Sequence, residues 1–185
     1  MGKFDFFLEN TADAEKFAAK HKTYSKLKRS ELENIPENEI VAAATGWIEG
    51  KFDKNWSDMC KVVNDLPTPC LNIYFADHVA KEVMSGGFSE AVFNLSNDFL
   101  GIAANGFRAI GYEKLGEIVD AAVKAGAAGA ASRPSGRSFE DFLEFSESVS
   151  FSAQDKDFRR CFDKAKFDRL AKQYIINYSK YFGND

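Results

Sequence analysis

The sequence predicts an all-α protein, a compact and irregular multi-helix bundle in a single domain, and three observations carry that prediction. Apolar residues recur at three- and four-residue steps almost throughout the chain. Proline, paired glycine and serine-rich breaks interrupt that spacing at short intervals, so the helices are modest and their connections brief. Neither an internal repeat nor a heptad seam is present, which excludes a long coiled coil.

Each element follows from its local residues. Asn10 or Thr11 can cap a first helix whose apolar positions are Ala14, Phe17, Ala18, Tyr24 and Leu27, with lysines opposite. Pro36 opens a second helix, where its missing N–H costs nothing, running through Ile40, Val41, Ala44, Trp47 and Ile48. Trp56, Met59, Cys60, Val63 and Leu66 form a third, stopped by Pro67. Thr68 and Pro69 open a fourth, with Leu71, Tyr74, Phe75, His78, Val79 and Val83 as its buried stripe. Gly86 and Gly87 then end it, because glycine enters the left-handed backbone of a helix stop without steric cost.

Two shorter helices follow, Phe88 to Asn94 and Phe99 to Ile110, the latter closed by Gly111. Another spans Tyr112 to Ala125, and the Gly-, Ala- and Ser-rich stretch from Gly126 to Gly136 reads as a loop excursion. Ser138 with Asp141 forms a capping box that starts a helix at Phe139. After the break at Ser148 to Ser152, one last helical region carries Phe158, Phe162, Phe167, Leu170, Tyr174, Ile175 and Tyr178. Residues 1–35 are read as an amino-terminal helix, docked on the core or extending from it, and 36–185 as the helical domain. Tyr178, Tyr181 and Phe182 either close the fold or bury against a second subunit.

The 185 residues suffice for a core that needs no metal or disulfide. With 45% hydrophobic and 28% charged residues the chain has a globular balance, and its 18 Phe predict a ring-rich interior. Cys60, Cys70 and Cys161 lie on apolar segments without ligand spacing, so reduced thiols in a cytoplasmic setting are expected. The short run Phe4, Phe6, Phe7, Leu8 is cut by Asp5 and closed by Glu9, unlike a signal sequence, and no stretch approaches a membrane span. A net charge of −4 argues against direct nucleic-acid binding. Its one basic concentration, Lys16, Lys20, Lys22, Lys26, Lys28 and Arg29, is diluted by Asp13 and Glu15 and followed by Glu31, Glu33, Glu37 and Glu39.

Catalytic chemistry finds little support. His21 and His78 are the only histidines, and His78 falls on an apolar stripe where a packed histidine is the ordinary reading. No phosphate cradle, nucleophile elbow, zinc motif or dinucleotide fingerprint is present, and Glu113 with Glu117 lacks a nearby histidine to complete a two-metal helix motif. A non-enzyme without cofactor or metal is expected.

The glycine pair carries a resemblance. Tyr74-Phe75, then Glu82-Val83-Met84-Ser85-Gly86-Gly87-Phe88, Phe93-Asn94, Ala109-Ile110-Gly111 and Glu117-Ile118 together resemble the signature of the bacterial family named for a DNA-mimic protein. The tail agrees through Phe162-Asp163, Phe167 and Tyr174-Ile175, so the resemblance covers about Ile40 to Tyr178, with Ser85 where the family usually has Asn. The motif residues Glu82, Gly86, Gly87, Phe88, Asn94 and Gly111 are read as architectural. Glu82 is expected to accept from free amides of the turn or of the Phe88 helix, and Phe88 to fold back as an apolar anchor.

The resemblance implies a helical, often dimeric protein whose acidic surface imitates DNA phosphates and occupies a DNA-binding transcription factor. Two stripes offer such a surface: Glu113, Glu117 and Asp120, and Glu140, Glu144 and Glu147 with Asp141 beside them. Along a helix such carboxylates recur roughly every 5–6 Å, against about 3.4 Å of rise per phosphate on a DNA strand, so only two stripes side by side reach the density. Lys114, Lys124, Arg133 and Arg137 interrupt them. Three readings follow: a protein-binding module, a DNA mimic that titrates a transcription factor, and a small enzyme or immunity-type factor.

Overall fold

The computed structural model describes residues 24, 26–51, 64–95, 97–128 and 138–184. The expected capped start at Asn10 or Thr11, His21, Trp56 to Val63 and most of the loop before Ser138 lie outside them. The described residues form helices joined by brief connections, with no strand among them and one isolated parallel bridge between Lys28 and Asn184. A 3₁₀ turn (Arg29–Asn34) leads into α1 (Glu37–Glu49), α2 (Thr68–Leu95), α3 (Asn97–Ala109), α4 (Glu113–Ala128), α5 (Phe139–Ser148), α6 (Ser152–Cys161) and α7 (Lys164–Asn177), followed by a second 3₁₀ turn (Ser179–Tyr181). Among these, no helix is long and apolar enough to cross a membrane.

The elements end where their residues dictate. Pro36 is the cap of α1 and not its first residue, its carbonyl accepting from the Glu39 and Ile40 amides. At Gly111 (φ 86°) the Tyr112 N–H donates to the Phe107 carbonyl at 2.7 Å and the Gly111 N–H to the Arg108 carbonyl at 2.8 Å, the paired bonds of a Schellman stop. Ser138 and Asp141 close their capping box, the Ser138 N–H donating to Asp141 Oδ2 at 2.7 Å and the Asp141 N–H to Ser138 Oγ at 3.1 Å. The expected single last helical region is two helices. Phe162 takes an extended conformation, and Asp163 then caps α7 by accepting from the Lys166 N–H at 2.9 Å.

The interior is rich in rings, as the phenylalanine count requires. Phe88, Phe107, Phe145, Phe151, Phe158 and Phe167 are fully buried. Phe158 meets Phe88 edge-on at 5.6 Å and Phe107 at 5.9 Å, and Phe107 meets Phe167 at 6.0 Å, so α2, α3, α6 and α7 share one aromatic cluster. Such pairs add roughly 0.5–1.5 kcal/mol each beyond burial. The other flank packs α1 against α2 and α7 through Ile40, Ala44, Ile48, Ile73 and Val79. Within the region assigned to the amino-terminal helix the expectation is corrected at its end: Leu27 lies outside any helix and only the 3₁₀ turn follows, because the chain here turns to pair with the other terminus, the Arg29 N–H donating to the Asn184 carbonyl at 2.9 Å, with Leu27 and Leu32 buried. At the other end Phe182 is buried and closes the fold, whereas Tyr178 stays 41% exposed.

Candidate functional site

The signature residues converge on a bend in α2. Helical spacing runs through the glycine pair, but Gly87 adopts φ 81° and ψ −176°, a conformation open essentially only to glycine, and this turns the chain into a second arm, residues 88–95. Gly86 has no such φ, so only one of the two glycines is dictated by the backbone. In an uninterrupted helix the Phe88 N–H would donate to the Met84 carbonyl. Here each half of that bond is taken by α6. Asp155 Oδ1 accepts from the Phe88 N–H at 2.7 Å, and Arg159 donates to the Met84 carbonyl at 3.1 Å and to the Val83 carbonyl at 3.0 Å.

Glu82 is therefore corrected. Because the rotation at Gly87 aims the Phe88 amide at α6, Glu82 instead accepts from Asn94 Nδ2 at 2.8 Å, tying the first arm to the second. Across that tie the Glu90 carboxyl lies over Gly86, and burial, then the Glu82 charge, hold it above its ordinary value. Phe88 is the apolar anchor expected of it, packed on Phe158 and Phe151. Phe93 anchors α5 by meeting Phe142 at 5.4 Å and Phe145 at 6.2 Å.

The two acidic stripes have different surroundings. On α4, Arg108 pairs with both Glu113 (3.2 Å) and Asp120, and Lys114 reaches Glu117 at 2.9 Å. Every carboxylate of that stripe thus has a cation. On α5, Asp141 is spent on the capping box, and among the described residues none of Glu140, Glu144 and Glu147 has an ion pair. All three are exposed. The helix α5 packs on α2, and α4 packs on α3, α6 and, more lightly, α2.

His78 is half-buried, 3.2 Å from Glu49 Oε1 with its ring 4.3 Å from that of Tyr74, so it ties α2 to α1. Hollows open at the surface among the described residues. One of about 550 Å³ lies between the first 3₁₀ turn and the end of α7, another between α4 and α6, and His78 lines neither. Among the described residues no three His, Cys, Asp or Glu side chains are placed to hold a metal ion.

An all-helical bundle built around a helix folded back at a Gly-Gly-Phe bend, with an exposed acidic helix anchored on its second arm, is the class that fold and site define. Residues 64–178, more than half of the chain, match the family described as DMP19-like protein, that is, DNA mimic protein 19-like, and the chain belongs to that family. No curated protein and no solved structure matches it.

Asp155, Arg159, Glu90 and Arg108 escape the sequence reading. Asp155 and Arg159 stand four apart on a polar helix, a pattern shared with any solvated ion pair. Arg108 lies across the Gly111 turn from the carboxylates it neutralises.

Proposed function

We infer that this protein is a non-catalytic binding module of the cytoplasm, and that its partner is the cationic surface of a DNA-binding protein, met by the exposed face of α5. The single observation that carries this reading is the contrast between the stripes: Glu140, Glu144 and Glu147 are exposed and have no cation among the described residues, while Glu113, Glu117 and Asp120 are neutralised within the fold. Unpaired carboxylates at one face raise the local density of a basic partner and speed encounter. The family name points the same way, to a DNA-binding protein as the thing occupied.

The test is affinity capture from a bacterial lysate with three baits: the unaltered protein, Glu140→Gln/Glu144→Gln/Glu147→Gln, and Glu113→Gln/Glu117→Gln/Asp120→Asn. The reading expects a protein retained by the first and third baits, lost by the second, and displaced by duplex DNA. Retention by the α5 variant, or indifference to duplex DNA, contradicts it.

A further inference from the structure

The α5 face is not purely acidic. Helical spacing places Leu143 beside Glu140 and Glu147, three before and four after it in sequence, at the edge of the acidic stripe, with Glu144 about 100° further round the helix. Leu143 is 44% exposed, one of three large apolar side chains so open among the described residues. Of the neighbouring apolar residues whose side chains are described, Phe142 packs against Phe93 and Phe145 turns into the core. The packing of α5 therefore does not need Leu143, and its helix already has a cap and two aromatic anchors.

A row of phosphates has no apolar member, so charge imitation alone leaves Leu143 without a counterpart. Protein interfaces do: an apolar centre excluded from water, ringed by polar groups. DNA-reading surfaces supply the complement, because apolar side chains that meet a thymine methyl stand among the lysines and arginines that hold phosphates.

We propose that Leu143 is an apolar anchor bordering the α5 carboxylates, and that its occupant is the DNA-contacting face of a DNA-binding protein on which an apolar side chain sits beside Lys and Arg. The carboxylates set the encounter and its salt dependence, and the leucine sets the preference among basic partners. This inference rests on the α5 reading above, and it can fail while that reading stands.

The probes are two synthetic peptides of equal length and net charge, one an amphipathic helix of leucine and lysine, the other with each leucine replaced by glutamine. Binding is measured by fluorescence anisotropy over a salt series, to the unaltered protein, to Leu143→Ala and to Glu140→Gln/Glu144→Gln/Glu147→Gln. Removing most of a leucine from a contact corresponds to roughly ten-fold in affinity. The leucine-bearing peptide should therefore bind about ten-fold tighter than its glutamine counterpart, and Leu143→Ala should abolish that preference while leaving the salt slope unchanged. A preference that survives in Leu143→Ala overturns the inference alone. Equal salt slopes for the unaltered protein and the triple variant, or no binding of either peptide, overturn the α5 reading and this inference with it. Because Leu143 is exposed and Phe142 and Phe145 are untouched, unchanged far-ultraviolet circular dichroism is expected of every variant.

Discussion

Replacing Gly87 by alanine should cost this protein a large part of its stability, for two separable reasons. At φ 81° and ψ −176° an L-residue is strained by about 1–3 kcal/mol. A Cβ there would also lie 2.8 Å from Asp155 Oδ2, displacing the carboxylate that accepts from the Phe88 N–H. Disturbing a hydrogen bond to a charged group costs about 1.5–3 kcal/mol, and the stiffer unfolded chain of alanine returns about 0.4–1 kcal/mol. The balance is about 3 kcal/mol of destabilisation, which for a chain of this length lowers Tm by roughly 6–12 °C. Urea denaturation and a thermal scan measure it, with Gly86→Ala as the internal comparison. Gly86 has no positive φ, and a Cβ there would meet only Glu90, whose carboxyl can swing away although its Cβ lies 2.9 Å off, so its alanine variant should lose clearly less than Gly87→Ala. Equal losses at the two positions, or a Gly87→Ala variant within about 1 kcal/mol of the unaltered protein, would refute the argument from backbone conformation and the Asp155 contact.

Further expectations follow from the same geometry. Glu90 is held above its ordinary 4.5, so the folded state keeps that proton after the unfolded chain has released it. Its contribution is present below 4.5 and is lost as pH rises through the folded value; Glu90→Gln should flatten denaturation midpoints across that window, and an unchanged slope would dismiss the raised value that burial and then the Glu82 charge give it. Burial pushes the Cys70 thiol up to about 12, Lys51 opposing slightly, and its Sγ–H donates to the Tyr181 carbonyl. Peptide mapping after maleimide treatment of the native protein should therefore find Cys70 unmodified until denaturant is added, and rapid native labelling would contradict its packing. Asp163→Ala removes the α7 cap and should cost about 1 kcal/mol, or roughly 2–4 °C in Tm. A loss below half of that would mean that the cap contributes little at this helix start.

Residues that act on their own neighbours were legible from sequence. Pro36, Gly111 and the Ser138–Asp141 box each mark a helix end by local chemistry, and each sits at one in the structure. The break at Phe162–Asp163 was concealed because Phe158, Phe162 and Phe167 continue a near-helical spacing across it, although Asp163 carried the signal of a cap. What the sequence withheld depends on tertiary contact. Nothing near Gly87 reveals that α6, some seventy residues later, takes both ends of the hydrogen bond broken there. The acidic stripes look alike in sequence. Lys114 beside Glu117 was visible, but the approach of Arg108 to Glu113 and Asp120 across the Gly111 turn was not, and together they neutralise a stripe whose counterpart on α5 has no cation among the described residues.

The most direct test is calorimetric titration of the captured partner into the unaltered protein and the two acidic-stripe variants over a range of salt. If α5 is the contact surface, affinity falls steeply with salt for the unaltered protein and for the α4 variant, and the α5 variant binds weakly at every salt concentration. Full affinity and an undiminished slope in the α5 variant, or their loss in the α4 variant, would place the contact elsewhere.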